Sequence, residues 1–187
     1  HPTGDGYFVR TTDVARSVRF GDFEITVATF DFDDALDLTY IDNSDGMGSN
    51  LLENTTDVLF YLTGLANVGG IGSNTYLPGA VADHLTSFGG QVPESSQMSA
   101  LEWLEAGATG SYGTVVEPCN YTEKFPRASV LLPHYFRGQT LVEAYWKSVL
   151  TPAEGLFLGD PLASPWDGST VSYEPGVLTI TTTLMRP

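Results

Sequence analysis

The stretch PGAVADHLTSFGGQVPESSQMSALEWLEAGATGSYGTVVE (78–117) decides the fold. It contains two short apolar runs, GAVADHL (79–85) and SYGTVVE (111–117), joined by a segment of helical periodicity. In QMSALEWLEAG (97–107), Met98, Leu101 and Leu104 recur at helical spacing, Ser95 or Ser96 can cap the start, and Gly107 can end it. Strand, helix, strand at this spacing predicts a right-handed parallel crossover.

Working outward, VLFYL (58–62) is apolar without alternation, as expected of a strand covered on both faces. GLFLGDP (155–161) supplies a fourth strand. Before it, TLVEAYWKSVL (140–150) opens with the capping box Thr140 to Glu143 and carries Leu141, Ala144, Tyr145 and Val149 on one stripe, with Pro152 closing it. The expected class is therefore α/β, a mainly parallel sheet with flanking helices.

Both ends of the chain read as β hairpins. SVRF (17–20) and FEITVATF (23–30) flank Gly21-Asp22, a pair of the type that closes two-residue turns, and Phe23, Ile25 and Val27 alternate with Glu24 and Thr26. VSYEPGVLTITTTLMRP (171–187) reads as a second hairpin around Glu174-Pro175-Gly176. The expected organisation is a β-rich segment over 1–56, an α/β core over 57–165 and the start of a C-terminal β segment over 166–187. A start at His1 and a last strand that stops soon after Leu184 suggest a processed piece of a longer polypeptide.

Charge excludes some functions. The 187 residues carry 23 acidic and 8 basic side chains, a formal net charge of −15, and only Lys124 and Lys147 are lysines. Such a surface repels phosphate backbones, so nucleic acid is not an expected partner. It resists aggregation and suits a salty or extracellular setting. No run approaches the length of a transmembrane helix; VLFYLTGLANVGGI (58–71) is broken by glycines and Asn67. Cys119 is the sole cysteine, so an internal disulfide is impossible.

Several motifs are specific when taken together. PGAVADHLTSFGG (78–90), QMSALEWLEAGATGSYGTVVEPCNY (97–121), KFP (124–126), GQTLVEAYWKSV (138–149) and LFLGDPLASP (156–165) resemble a family of secreted bacterial proteins of unassigned activity. More distantly, the order of elements resembles the gingipain-like, caspase-fold cysteine peptidases. In those, one strand ends in a Gly-His-Gly base, the next ends in the nucleophilic cysteine, a Gly-Ala strand follows, and a Gly-Asp-Pro turn comes late. Gly107-Ala108 and Gly159-Asp160-Pro161 match the later landmarks. The base position holds Gly64-Leu65-Ala66, and a leucine cannot accept a proton. The resemblance thus implies a caspase-like or gingipain-like fold without its usual catalytic residues.

His84 and Cys119 form the remaining candidate pair, a base and a nucleophile expected just past the ends of neighbouring strands. Asp83 or Glu117 can orient the ring, and Gly89-Gly90 can offer oxyanion donors. The plainer reading makes His84 a hydrogen-bonded core residue and Cys119 a small packed one. Ser87 is a weaker nucleophile, because Thr-Ser-Phe-Gly-Gly is not a nucleophile elbow; Thr86 and Ser87 are expected to bond loop backbone.

For metals, Asp31, Asp33, Asp34 and Asp37, or Asp42, Asn43 and Asp45, can offer calcium oxygens, although neither run has the spacing of a calcium loop. An amino-terminal His1 can chelate copper with a second histidine such as His134. Asn54 and Asn120 open glycosylation sequons. The expected function is a non-catalytic binding or structural module, secreted or at the cell surface. It would pair through its β edges with a protein partner or with the remainder of the same polypeptide. The alternative is a cysteine peptidase or other hydrolase using Cys119 and His84.

Overall fold

A computed structural model describes residues 2–30, 36–117 and 120–181. Its centre is one six-stranded sheet in the order β2-β1-β3-β4-β5-β6. The strands are β1 (Gly4–Arg10), β2 (Leu36–Asp42), β3 (Val58–Thr63), β4 (Tyr76–Asp83), β5 (Gly110–Thr114) and β6 (Gly155–Gly159). The first five are mutually parallel, and β6 runs antiparallel to β5. The α/β class with a mainly parallel sheet is therefore present.

Alternation along the central strands sorts side chains onto two faces. Phe8, Phe60, Leu62, Val81 and Tyr112 face a large core shared with helices α1 (Phe20–Thr29), α3 (Ala128–Phe136) and α4 (Leu141–Ser148). Val9, Tyr61 and Ala82 face a smaller core closed by Met98 and by Trp103 of the five-residue helix α2 (Leu101–Glu105). Every residue of β3 is buried, which is why its sequence shows no polar alternation. The capping box at Thr140 and Glu143 is formed, with the Thr140 backbone N–H donating to Glu143 Oε2 at 3.0 Å.

The N-terminal hairpin is a correction. Residues 20–29 form α1, so Gly21-Asp22 lies in a first helical turn and not in a β turn. Phe23 and Thr26, three positions apart, are the buried residues of this helix, while Ile25 is exposed. The alternating Phe23, Ile25, Val27 pattern is overridden by tertiary packing. Because β1 pairs in parallel with β2, the chain between them must cross over the sheet, and a helix satisfies the backbone while it does so.

The last sheet strand is also a correction: strand, helix, strand spacing predicts a parallel crossover into 155–161, and β6 runs antiparallel. Two helices, α3 and α4, separate β5 from β6. One crossover helix would return the chain to the rim where β5 began. The second brings it back to the end of β5, where Gly155 pairs with Thr114 and the strand runs down in reverse. Beyond β6, β7 (Thr170–Glu174) and β8 (Val177–Thr181) form a separate antiparallel pair.

Candidate functional site

Strand β4 ends at Asp83, and His84 begins the loop leading to α2. Consecutive strand residues point to opposite faces. Asp83 accordingly shares the face of Val81 and meets Arg19, whereas His84 shares the face of Ala82 and meets Trp103. Asp83 as an orienter of the His84 ring is thus corrected: the sheet lies between them.

On the first face, Arg19 Nη2 donates to Asp83 Oδ1 at 2.7 Å. The guanidinium also donates to the Thr63 carbonyl at 3.3 Å and to the Pro126 carbonyl at 3.4 Å, and it lies over the rings of Phe23 and Phe125. Both charged side chains are buried. Among the described residues Asp83 Oδ2 and Arg19 Nε have no hydrogen-bond partner. Burial raises the Asp83 pKa above the usual carboxylate value, opposed by the Arg19 charge.

On the second face, Trp103 Nε1–H donates to His84 Nδ1 at 2.9 Å. An indole nitrogen only donates, so Nδ1 carries no proton. The ring proton sits on Nε2, which donates to the Met98 carbonyl at 3.1 Å. Burial pushes the His84 pKa down to about 4; the nearby Arg19 charge acts in the same sense and the Met98 bond against it. At neutral pH this is an uncharged imidazole with its one lone pair already occupied.

The loop after His84 is equally committed. Gly90 N–H donates to the Thr114 carbonyl at 2.9 Å, so it is not a free oxyanion donor. The Thr114 hydroxyl lies 2.8 Å from the Thr86 carbonyl and 3.0 Å from that of Ser87. Gln97 Oε1 accepts from the Thr86 hydroxyl and from Phe88 N–H. Ser87 is buried beneath this network. Gly90 and Gly113 pass so closely that a Cβ on either would stand 2.2 Å from the other's backbone.

Glu117 is exposed past the end of β5 and is not among the partners of the His84 ring. Cys119, His1, Asp31, Asp33 and Asp34 lie outside the described residues. Asp42 Oδ2 accepts from Arg10 at 3.1 Å, while Asp42 Oδ1 and Asp45 Oδ1 accept from the backbone of Ser44 and Met47. Asn43 bonds Gly48 and Asn50. Among the described residues no three His, Cys, Asp or Glu side chains are gathered as a metal site, and no helix is long and apolar enough to cross a membrane.

Arg19 and Gln97 were not visible as site residues in the sequence. One signal for Arg19 existed: a cation set between the apolar Val18 and Phe20, in a chain with only eight basic residues. Comparison with protein-family models, curated proteins and solved structures finds no match for this chain.

Proposed function

We propose that the chain is a non-catalytic binding or structural module of a larger extracellular protein or assembly, built on a caspase-like or gingipain-like core. The observation that carries this reading is the β7–β8 hairpin. Val171 stands opposite Ile180 and Tyr173 opposite Leu178, so all four side chains share one face of the ribbon. Their exposures are 67%, 59%, 72% and 61%. An isolated two-stranded hairpin is marginal in water, and an uncovered apolar face with open edges is a surface that other chain segments bind.

Two further features support the reading. The strands that would carry base and nucleophile in the gingipain-like arrangement, β3 and β4, are parallel neighbours, and Leu85 N–H donates to the Leu65 carbonyl just past their ends. At that rim stand a leucine, a buried ion pair and a neutral histidine held by two partners. None of these is poised to move a proton. The net charge of −15 fits an extracellular setting.

Hydrogen exchange tests the proposal. In natively isolated protein, amides of 170–181 should be protected, and in the chain alone they should exchange as an unsupported hairpin does. Val171→Lys with Ile180→Lys should remove that protection and leave β3 and β4 unchanged. Equal exchange in both preparations would refute the docking role. Strong labelling of Cys119 by a thiol probe at neutral pH, lost in His84→Ala, would favour the hydrolase instead.

A further inference from the structure

Beside the buried ion pair, the first turn of α1 and the segment before α3 enclose a cleft of about 330 Å³. Its walls include Arg19, Phe20, Gly21, Asp22, Thr122 and Arg127. That volume is at the lower end of small-molecule sites, which run from roughly 300 to 1,000 Å³.

The feature that stands out is Arg127. Arg10, Arg16, Arg19 and Lys124 each pair with a carboxylate, and Lys147 bonds Gln139. Among the described residues the Arg127 guanidinium has no hydrogen-bond or ion-pair partner, and its Nε is buried. A buried donor without an acceptor is destabilising, and it is more so when charged. In a chain with 23 acidic residues, a carboxylate to meet it would be easy to supply. The one carboxylate in the wall, Asp22, is turned to other work: Oδ2 accepts from Ala128 N–H at 2.6 Å, and Oδ1 accepts from the Ser129 hydroxyl. A second donor in the cleft wall, Arg19 Nε, is also without a partner among the described residues, although Arg19 is only 3% exposed.

We infer that this cleft binds a small carboxylate-bearing molecule. The ligand carboxylate accepts from the Arg127 guanidinium, with Thr122 and the first turn of α1 around it, and a short apolar or aromatic body rests on Phe20. The chemistry is that of a charge-assisted, geometrically forked contact, for which arginine is suited and lysine is not. This inference does not depend on the hairpin docking proposed above.

The experiment is a titration of the full chain with sodium benzoate, followed by amide chemical shifts, with benzamide as the neutral analogue. Saturable shifts at Gly21, Thr122 and Arg127 with benzoate, and none with benzamide, are expected. Arg127→Ala should weaken binding about tenfold or more, with Arg127→Lys in between. Unchanged amide dispersion elsewhere would show that both variants fold; if Arg127→Ala does not fold, Arg127→Lys carries the test. Equal shifts from benzoate and benzamide, no saturable shift at these residues, or undiminished binding in the variant would each overturn the assignment.

Discussion

The indole of Trp103 donates to Nδ1 of His84 at 2.9 Å, with the ring centroids 6.1 Å apart. This contact converts a residue that the sequence offers as a catalytic base into a structural acceptor. It also fixes the tautomer, because the only remaining ring position for a proton is Nε2, facing the Met98 carbonyl.

Trp103→Phe removes the donor while keeping an aromatic ring in the smaller core. Nδ1 is then buried without a partner, at a cost of about 1–3 kcal/mol, with some further loss from the reduced ring volume. Urea unfolding should show a lower midpoint with an unchanged slope. An unaltered midpoint would mean that the bond contributes nothing.

His84 should make the protein acid-sensitive. The unfolded ring titrates near 6.5 and the folded ring at about 4. Between those values the unfolded state binds more protons, so stability is full above about 6.5 and declines as pH falls toward 4. The gap corresponds to about 3 kcal/mol. Asp83, raised by burial, has the opposite sign, since its folded form holds a proton more readily. Asp42, Glu143 and Asp167 are held below their usual values by hydrogen bonds, so their losses come at still lower pH. Thermal melts of wild type and His84→Gln from neutral pH to about 4 separate the contributions, and the variant's profile should be flatter across that range.

Arg19→Met leaves Asp83 buried and uncompensated, which typically costs about 3–5 kcal/mol. Replacing both partners, Arg19→Met with Asp83→Leu, should recover about half of that loss or more, because the second change removes the stranded charge. Chemical denaturation of the two single variants and the double variant forms the required cycle. Strict additivity would show that the pair is not coupled.

What the sequence reveals of this fold divides along local and non-local lines. The unbroken run of β3 and the Thr140–Glu143 box state their structure within a few residues. Helix α1 is obscured because Phe23, Ile25 and Val27 are strand formers in an alternating row, and only the tertiary fold shows that Phe23 and Thr26 are the inward pair. Helix α3 carries Pro133 in its interior and follows Pro126, both of which read as breakers. The reversed direction of β6 depends on how many helices precede it. At the site, His84, Thr86 and the glycine pair are legible as residue types, but their pairing with Trp103, Gln97 and Thr114, later in the same stretch, depends on how the loop folds back. Arg19 meets Asp83 across 64 positions of chain, a relationship no window can contain.

Gly113→Ala should be among the most damaging single changes. The added methyl would stand 2.2 Å from Gly90 nitrogen and 2.3 Å from the Gly89 carbonyl carbon, both backbone atoms that cannot rotate away. The loop and β5 must separate, breaking the Gly90–Thr114 bond, so a loss of more than about 3 kcal/mol is expected. Soluble yield and melting temperature report it. A variant as stable as wild type would mean that the two backbones are not in contact.

Asp22 ties the start of α1 to Ala128 across 106 positions, and Arg19 reaches the Pro126 carbonyl across 107. Neither link can exist until Pro126 and Ala128 have been synthesised, and closing spans of that length is entropically slow. During synthesis Asp83 emerges early enough to meet the Arg19 guanidinium, whereas the Asp22 carboxylate waits for partners that emerge late. Nascent chains halted before Ala128 should present that rim to chaperones and proteases, and chains released just beyond α3 should be the first to seal it.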